Sequence, residues 1–420
     1  MTPQVIRRRF LVLTGLRWLN SGLMIPVIIL LLLDRGLSLG QIGLVTAAQG
    51  VVVMLLELPT GGLADTIGRR TVLLIAGLFE LAAVSLFIVA DTVPLLIAVF
   101  ALMGVYRALD SGPLDAWYVD AAQAVDPDAD IEGGMAAAGV VLGIAIAAGT
   151  MASGGLVAWQ PLPAVAPLIT PILAALLLKI LHLLAVAWLM TEPAAIRPTV
   201  SASVQGLPRV VADAITMVRS SPVLLALLAV ELLWGLGQTS FEAFTPARLE
   251  AVVGDIDRAA TLLGPTNAVA WLVSAGGAAA VPALSRKVGA PMAGALLRVG
   301  QGLTVVGIAL AAGPIGVLIA YVLTMAVHGG ANPVHRGLLH RAVTDPSRRA
   351  TVVSANSLTG QVGYAVGGIT LGALADATAL STAILVGAAI LAAAAPLYLF
   401  IGRRHGHEQS SASMVHADHI

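Results

Sequence analysis

The chain has 420 residues, of which 58% are hydrophobic and only 11% charged, with no formal net charge and a mean hydropathy of +0.93. A soluble domain keeps its surface wetted with about 25% charged residues, so the composition excludes a large soluble enzyme, and the neutral balance offers nucleic acid no basic face. There is no cysteine, which removes disulfides and thiolate chemistry and leaves the redox compartment unread.

A helix needs about 20 mostly apolar residues to cross roughly 30 Å of hydrocarbon. That measure predicts spans at 10–33, 41–63, 70–90, 94–120, 133–158 and 168–191, and again at 223–247, 259–283, 290–312, 314–340, 350–376 and 379–401. The first apolar stretch follows Arg7, Arg8 and Arg9 and runs to about Leu33, longer than a signal peptide's apolar region, so the arginines anchor a spanning helix. Residues 192–222 form the one long interior break; Leu207, Val210, Val211, Ala214 and Val218 keep helical spacing there and predict an amphipathic surface helix. The expected organisation is a six-helix bundle at 1–191, a linker at 192–222, a second bundle at 223–401 and a disordered polar tail at 402–420. Basic residues cluster in alternate loops, at Arg69/Arg70, Arg286/Lys287, Arg348/Arg349 and Arg403/Arg404, while the opposite loops carry only Arg35, Arg248 and Arg258. That asymmetry places both termini in the cytoplasm.

Equal helix counts on either side of the linker point to a duplication. A shift of 220 residues sets Ser111–Asp120 against Ala331–His340, with Pro113 over Pro333, and brings VDPDAD (Val125–Asp130) near TDPSRR (Thr344–Arg349).

The first cytoplasmic hairpin reads GGLADTIGRR (Gly61–Arg70). It resembles the loop between helices two and three that marks the major facilitator superfamily. The resemblance implies an all-α membrane protein of 12 transmembrane helices, built as two six-helix halves in a parallel pseudo-repeat. It also implies a cytoplasmic gate of Gly61, Asp65, Gly68, Arg69, Arg70 and Asp120. Asp65 would sit at the N-terminus of the helix opening near Arg349 to Ser354, where the macrodipole favours an anion, and Asp120 would pair with Arg69 or Arg70. The equivalent loop of the second half, ALSRKVGAP, keeps Gly289 but has Arg286 in place of the aspartate. Helix four carries YRALDSGPLDAWYVD (Tyr106–Asp120), which resembles the superfamily's arginine motif and implies a proton-coupling role for Arg107. Helix five, GVVLGIAIAAGTMASGG (Gly139–Gly155), is similar to the glycine-rich antiporter motif without its proline; close helix packing by small residues explains it equally. ELPTGGLAD together with RALDSGPLDAWYVD most resembles bacterial drug and metabolite exporters, implying export of a small, partly apolar molecule by proton antiport and alternating access. Proton-coupled uptake of a nutrient is the alternative within the same fold, and a non-transporting sensor or scaffold the remote one.

Ionisable side chains inside a span are costly and mark function by default. The first half holds Arg17, Glu57, Glu80, Arg107, Asp110 and Asp115. A desolvated carboxylate beside a movable arginine can hold or release a proton near neutral pH, so Asp110, with Arg107 one turn away, is read as the switch. Arg17, Glu57 and Asp115 fit either a switch or a static lattice bracing helices one, two and four. In the second half Glu231, Trp234 and Gln238 share a helix face that Glu242 continues, and His328, Asn332 and His335 form another stripe; Glu231, Trp234, Gln238, Glu242, His328 and Asn332 are the candidate solute-binding residues. A histidine of that second stripe reads as a hydrogen-bonded structural side chain, with a proton carrier as the alternative; Lys179 and His182 read as solute ligands or, for Lys179, a snorkelling side chain, and Glu80 is left without a role. No HExxH, P-loop or Cys/His cluster occurs, so no metal or cofactor is expected and the proton gradient is the expected driving force. The expected partners are a small-molecule substrate, protons and the lipid bilayer, with no nucleic acid, around a monomer in the cytoplasmic membrane.

Overall fold

The structure, a computed structural model, describes residues 2–61, 63–192, 219, 221–343 and 349–403. All its regular structure among the described residues is helical. The first half contains α1 (Pro3–Met24), α2 (Ile28–Asp34), α3 (Leu39–Gly61), α4 (Leu63–Ile67), α5 (Arg69–Val89), α6 (Val93–Asp110), α7 (Pro113–Gln123), α8 (Ile131–Trp159) and α9 (Ile169–Leu189). The second contains α10 (Pro222–Glu242), α11 (Phe244–Val253), α12 (Ile256–Val288), α13 (Ala290–Leu310), α14 (Pro314–Ala342), α15 (Arg349–Ala377) and α16 (Leu380–Ala392). Among the described residues, 11 helical stretches are long and apolar enough to cross a membrane. The twelfth, α15, has 29 residues and the necessary length, but Asn356, Gln361 and its glycines dilute its apolar character. The proposed amphipathic helix of the linker and the C-terminal tail lie outside the described residues.

Four predicted spans are interrupted, each where a proline ring would meet the carbonyl four residues back. Pro26 separates α1 from α2, Pro246 follows the break at Ala243, and Pro396 follows a turn at 393–394. The fourth span parts at Ser111–Gly112, where Gly112 takes φ +96°, a left-handed conformation that costs glycine no Cβ clash, and Pro113 opens α7. The matching Pro333 lies inside an unbroken α14; there Asn332 stands where the first copy has Gly112. The first helix also starts at Pro3, seven residues before the apolar run, because Pro3 occupies the first turn after an extended Thr2.

The chain divides into two compact units, Met1–Leu207 with Leu249–Leu272, and Pro208–Arg248 with Val273–Ile420. Lipid tails are as apolar as leucine, so helices associate in a bilayer through close packing, which small residues permit. In the first unit α1 crosses α8 where Gly22 meets Gly149: a Cβ on Gly149 would lie 2.8 Å from the Gly22 Cα. Gly104 of α6 faces the Gln49 carbonyl of α3, and Gly77 of α5 faces Leu183 of α9. In the second unit Gly235 of α10 meets Gly363 of α15 at 3.0 Å by the same measure. Gly277 of α12 faces Ala326 of α14, and Gly302 of α13 faces the Ala388 carbonyl of α16. First packs on fifth, second on fourth and third on sixth in both units, so the duplication expected from Pro113 and Pro333 reappears as a repeated packing scheme. The glycines of α8 divide by this measure. Gly149 and Gly154 sit at tight crossings, whereas a Cβ on Gly139, Gly143 or Gly155 would meet nothing within 4 Å.

Candidate functional site

Four helices of the first unit turn ionisable side chains toward one another. Arg17 of α1 and Asp110, the last residue of α6, form an ion pair at 2.5 Å, with side-chain exposures of 22% and 3%. The Arg17 guanidinium also lies 5.1 Å from the Trp18 ring. Glu80 of α5 pairs with the Lys179 ammonium of α9 and accepts a hydrogen bond from Asn20 Nδ2 of α1 at 2.9 Å. Lys179 Nζ stands 4.4 Å from the Tyr106 ring and 3.5 Å from His182 Nδ1. Tyr106 is one turn before Asp110 on α6, and its hydroxyl interacts with Asp110, Glu80 and Arg17. Two buried ion pairs thus meet across one tyrosine. In a low-dielectric interior each pair survives only because its partner and added hydrogen bonds replace lost hydration.

The second unit builds a different cluster. Glu231 of α10 lies 3.3 Å from His335 Nε2 of α14, which also meets Asn356 Oδ1 of α15 at 3.0 Å, while His335 Nδ1 meets the Tyr398 hydroxyl at 3.0 Å. Two acceptors face Nε2, so the neutral ring that satisfies them carries its proton there and accepts from tyrosine at Nδ1. One turn along α10, Trp234 stacks on His328 of α14 at 5.8 Å between centroids and 19° between planes, and Phe241 leans on the same imidazole at 5.5 Å. His328 lies 3.4 Å from the side-chain amides of both Gln301 and Asn332. Arg298 of α13 is fully buried; its Nη1 donates to Gln301 Oε1 at 2.8 Å and its guanidinium stands 5.9 Å from the Trp234 ring.

In the loop after α4, Gly68 takes φ +98° and α5 begins at Arg69. Arg69 pairs with the Asp120 carboxylate of α7 and donates to the Ala116 carbonyl at 2.7 Å. Arg70 turns the other way: its guanidinium donates to the Ala187 carbonyl and its backbone N–H to Glu192 Oε1 at 2.8 Å.

The sequence model of the Major Facilitator Superfamily matches residues 10–343. The chain belongs to the major facilitator superfamily. The superfamily and the fold make it a multi-pass membrane transporter rather than an enzyme. A solved structure of the nucleoside transporter NupG is similar to it with a TM-score of 0.77 at 14% identity, covering 94% of this chain and 98% of that one. A bacterial homolog to the human lysosomal transporter Spinster, in an inward-facing and occupied conformation, gives 0.70 at 15% identity, covering 95% and 96%. Such low identities speak for the shared fold alone. No curated protein sequence matches the chain.

Within this superfamily fold the sequence-derived residues separate into those brought together and those kept apart. Asp110 meets Arg17 of another helix, not Arg107 of its own: Arg107 is exposed on α6 and makes no ion pair among the described residues. Asp115 is exposed in the first turn of α7, where the helix dipole favours an anion, close enough to feel the charges of Arg17 and Asp110. Arg69, not Arg70, partners Asp120. The side chains of Glu57 and Asp65 and the surroundings of Gly61 are not among what the structure describes. Glu231, Trp234, His328 and Asn332 join one cluster, whereas Gln238 donates to Glu242 at 2.6 Å, toward an exposed end of α10. Glu80 and Lys179, which have no settled role in the sequence, are each other's partners. Sequence reasoning misses Arg298, Gln301, Asn356 and Tyr398. Arg298 carries a usable signal, being an arginine in the middle of the apolar run ALLRVGQG; the two amides and the tyrosine carry no local signal.

Proposed function

We propose that the chain is a secondary active transporter that exports a small, partly apolar molecule by proton antiport through alternating access. It works as a monomer in the cytoplasmic membrane with both termini inside, and draws on the proton gradient without a cofactor. The observation that carries this reading is the Arg17–Asp110 pair, with its carboxylate buried, at the break between α6 and α7. A proton arriving on Asp110 neutralises the carboxylate and strands the guanidinium in a poorly solvating interior, so the protonated unit favours another arrangement of α1 and α6. Such a change of partner is what couples a proton to a conformational cycle. Asp115 offers a second carboxylate beside Arg17, and Arg107 and Glu57 complete the proposed coupling set. The Arg69–Asp120 pair, with Gly61, Asp65, Gly68 and Arg70, serves as the cytoplasmic gate. Glu231, Trp234, Gln238, Glu242, His328 and Asn332 face the solute.

The direction of coupling is tested in everted membrane vesicles with an acidified lumen, using ethidium and uridine as probes. Antiport accumulates the solute in the lumen as protons leave; a solute driven outward with the protons would establish symport and overturn the export reading. Asp110→Asn removes the titratable oxygen at nearly constant shape. It is expected to abolish gradient-driven accumulation while leaving the level of folded protein unchanged, and normal pH-driven transport by this variant would remove Asp110 from the mechanism.

A further inference from the structure

The two units differ in how they balance buried charge. In the first, each buried cation faces a carboxylate, Arg17 with Asp110 and Lys179 with Glu80. In the second, the Glu231 carboxylate is engaged by His335 and feels the charge of the fully buried Arg298 from beyond ion-pairing distance, and no other carboxylate among the described residues lies within that distance of Arg298. Arg298 Nη1 donates to Gln301 Oε1 and the Tyr398 hydroxyl lies beside the guanidinium, while Nε and Nη2 are buried without a well-aligned acceptor. The Trp234 indole Nε1 is likewise buried without an acceptor. A guanidinium out of water is costly, the Gln301 amide satisfies a donor without balancing its charge, and Glu231 balances that charge only from beyond ion-pairing distance. Guanidinium Nε and Nη2 lie on one edge of a planar fork, the pair of donors that matches two oxygens of one carboxylate. The guanidinium stands over the Trp234 ring at 5.9 Å, and Trp234 in turn stacks on His328, which Phe241 covers from another side.

We propose that Arg298 anchors the carboxylate of an aromatic or heteroaromatic acid in a solute subsite of the second unit. Arg298 Nε and Nη2 take the two oxygens, and Trp234 and His328 supply the platform for the ring. Gln301 is a positioning residue: its Oε1 holds Nη1, and its amide reaches His328, so that the guanidinium and the platform are set by one side chain. The inference rests on the reading of the α10 and α14 faces as solute-facing given above, and it turns a partly apolar solute into a ring-bearing organic anion.

The test is calorimetric titration of the purified full-length chain in lipid nanodiscs with four probes: indole-3-acetate, indole-3-acetamide, tryptamine and acetate. They present ring with anion, ring without charge, ring with cation, and anion without ring. Indole-3-acetate is expected to bind about tenfold or more tightly than the amide, the difference one charge-assisted bidentate contact gives, and more tightly than acetate or tryptamine. Arg298→Gln is expected to erase the preference for the acid over the amide, with Arg298→Lys retaining part of it. Trp234→Phe keeps a ring but removes the indole donor, and is expected to weaken the acid and the amide together, which keeps the inference testable if Arg298→Gln fails to fold. Equal affinity for acid and amide, an acid preference that survives Arg298→Gln, or no heat with indole-3-acetate at millimolar concentration would each overturn the inference. Binding of acetate as tightly as indole-3-acetate would overturn it as well, since the site would then hold an inorganic or small anion only. An Arg298-dependent acid preference together with symport in the vesicle experiment supports this inference and overturns the antiport reading alone.

Discussion

Alanine at Lys179 is expected to destabilise the protein by about 3–5 kcal/mol, the cost of leaving one member of a buried ion pair without its partner. The Lys179 side chain is 1% exposed and that of Glu80 10%, so neither is screened by water to any useful degree. Removing the ammonium leaves Glu80 with the Asn20 amide and the Tyr106 hydroxyl, which solvate a carboxylate incompletely. The informative companion is the double variant Lys179→Met with Glu80→Leu, in which apolar side chains of similar volume replace both charges; the expected result is recovery of most of the lost stability. Midpoints of thermal unfolding for wild type, the single and the double variant in one detergent decide the matter. A Lys179→Ala protein as stable as the wild type would show that Glu80 is held neutral and that the pair is not ionic. The double variant also separates roles: full stability with lost gradient-driven transport would place this pair in the coupling machinery beside Arg17 and Asp110.

Valine at Gly149 is expected to abolish the crossing of α1 and α8. Even the first carbon of a side chain there would sit 2.5 Å from the Leu19 carbonyl oxygen and 2.8 Å from the Gly22 Cα. Both are backbone atoms of a helix that has no flexible end to yield, and two further methyl groups enlarge the clash. The cost is expected to exceed about 3 kcal/mol, the upper part of the range for overpacked interiors, and to appear as loss of monodisperse protein on detergent extraction. Gly143→Ala, six residues earlier on the same helix, is the matched control: nothing lies within 4 Å of its new Cβ, and alanine stabilises a helix interior by roughly 0.5–1 kcal/mol over glycine. Equal damage from both substitutions would show that α8 needs glycine for something other than contact.

The twelve spans were legible because an apolar run long enough to cross a bilayer survives averaging over about 20 residues. That same averaging hides a break of two or three residues, which is why the interruptions at Pro26, Gly112 and Ala243 surfaced only in the structure. Charge shows a similar division. Spacing along one helix made Arg107 the natural neighbour of Asp110, but helix geometry fixes only which side chains share a face, and Arg107 points away while Arg17 arrives from α1. Partners contributed by distant helices, such as Glu80 and Lys179 or His335 and Tyr398, follow from packing that no local pattern encodes. A contact of Asp120 with Arg69 or Arg70 was legible because it came with the loop motif, and the structure pairs Asp120 with Arg69.

The pairing of buried charges in the first unit also bears on the proposed coupling through membrane voltage. Arg17 with Asp110 and Lys179 with Glu80 sum to zero, so an electric field across the bilayer exerts no net force on the quartet. A single proton gives it one elementary charge, worth about 2.3 kcal/mol per 100 mV when moved across the full potential. If the quartet takes up a proton as proposed, the field drives only the loaded form: an interior-negative potential pulls that form toward the cytoplasm and leaves the empty form to return unaided.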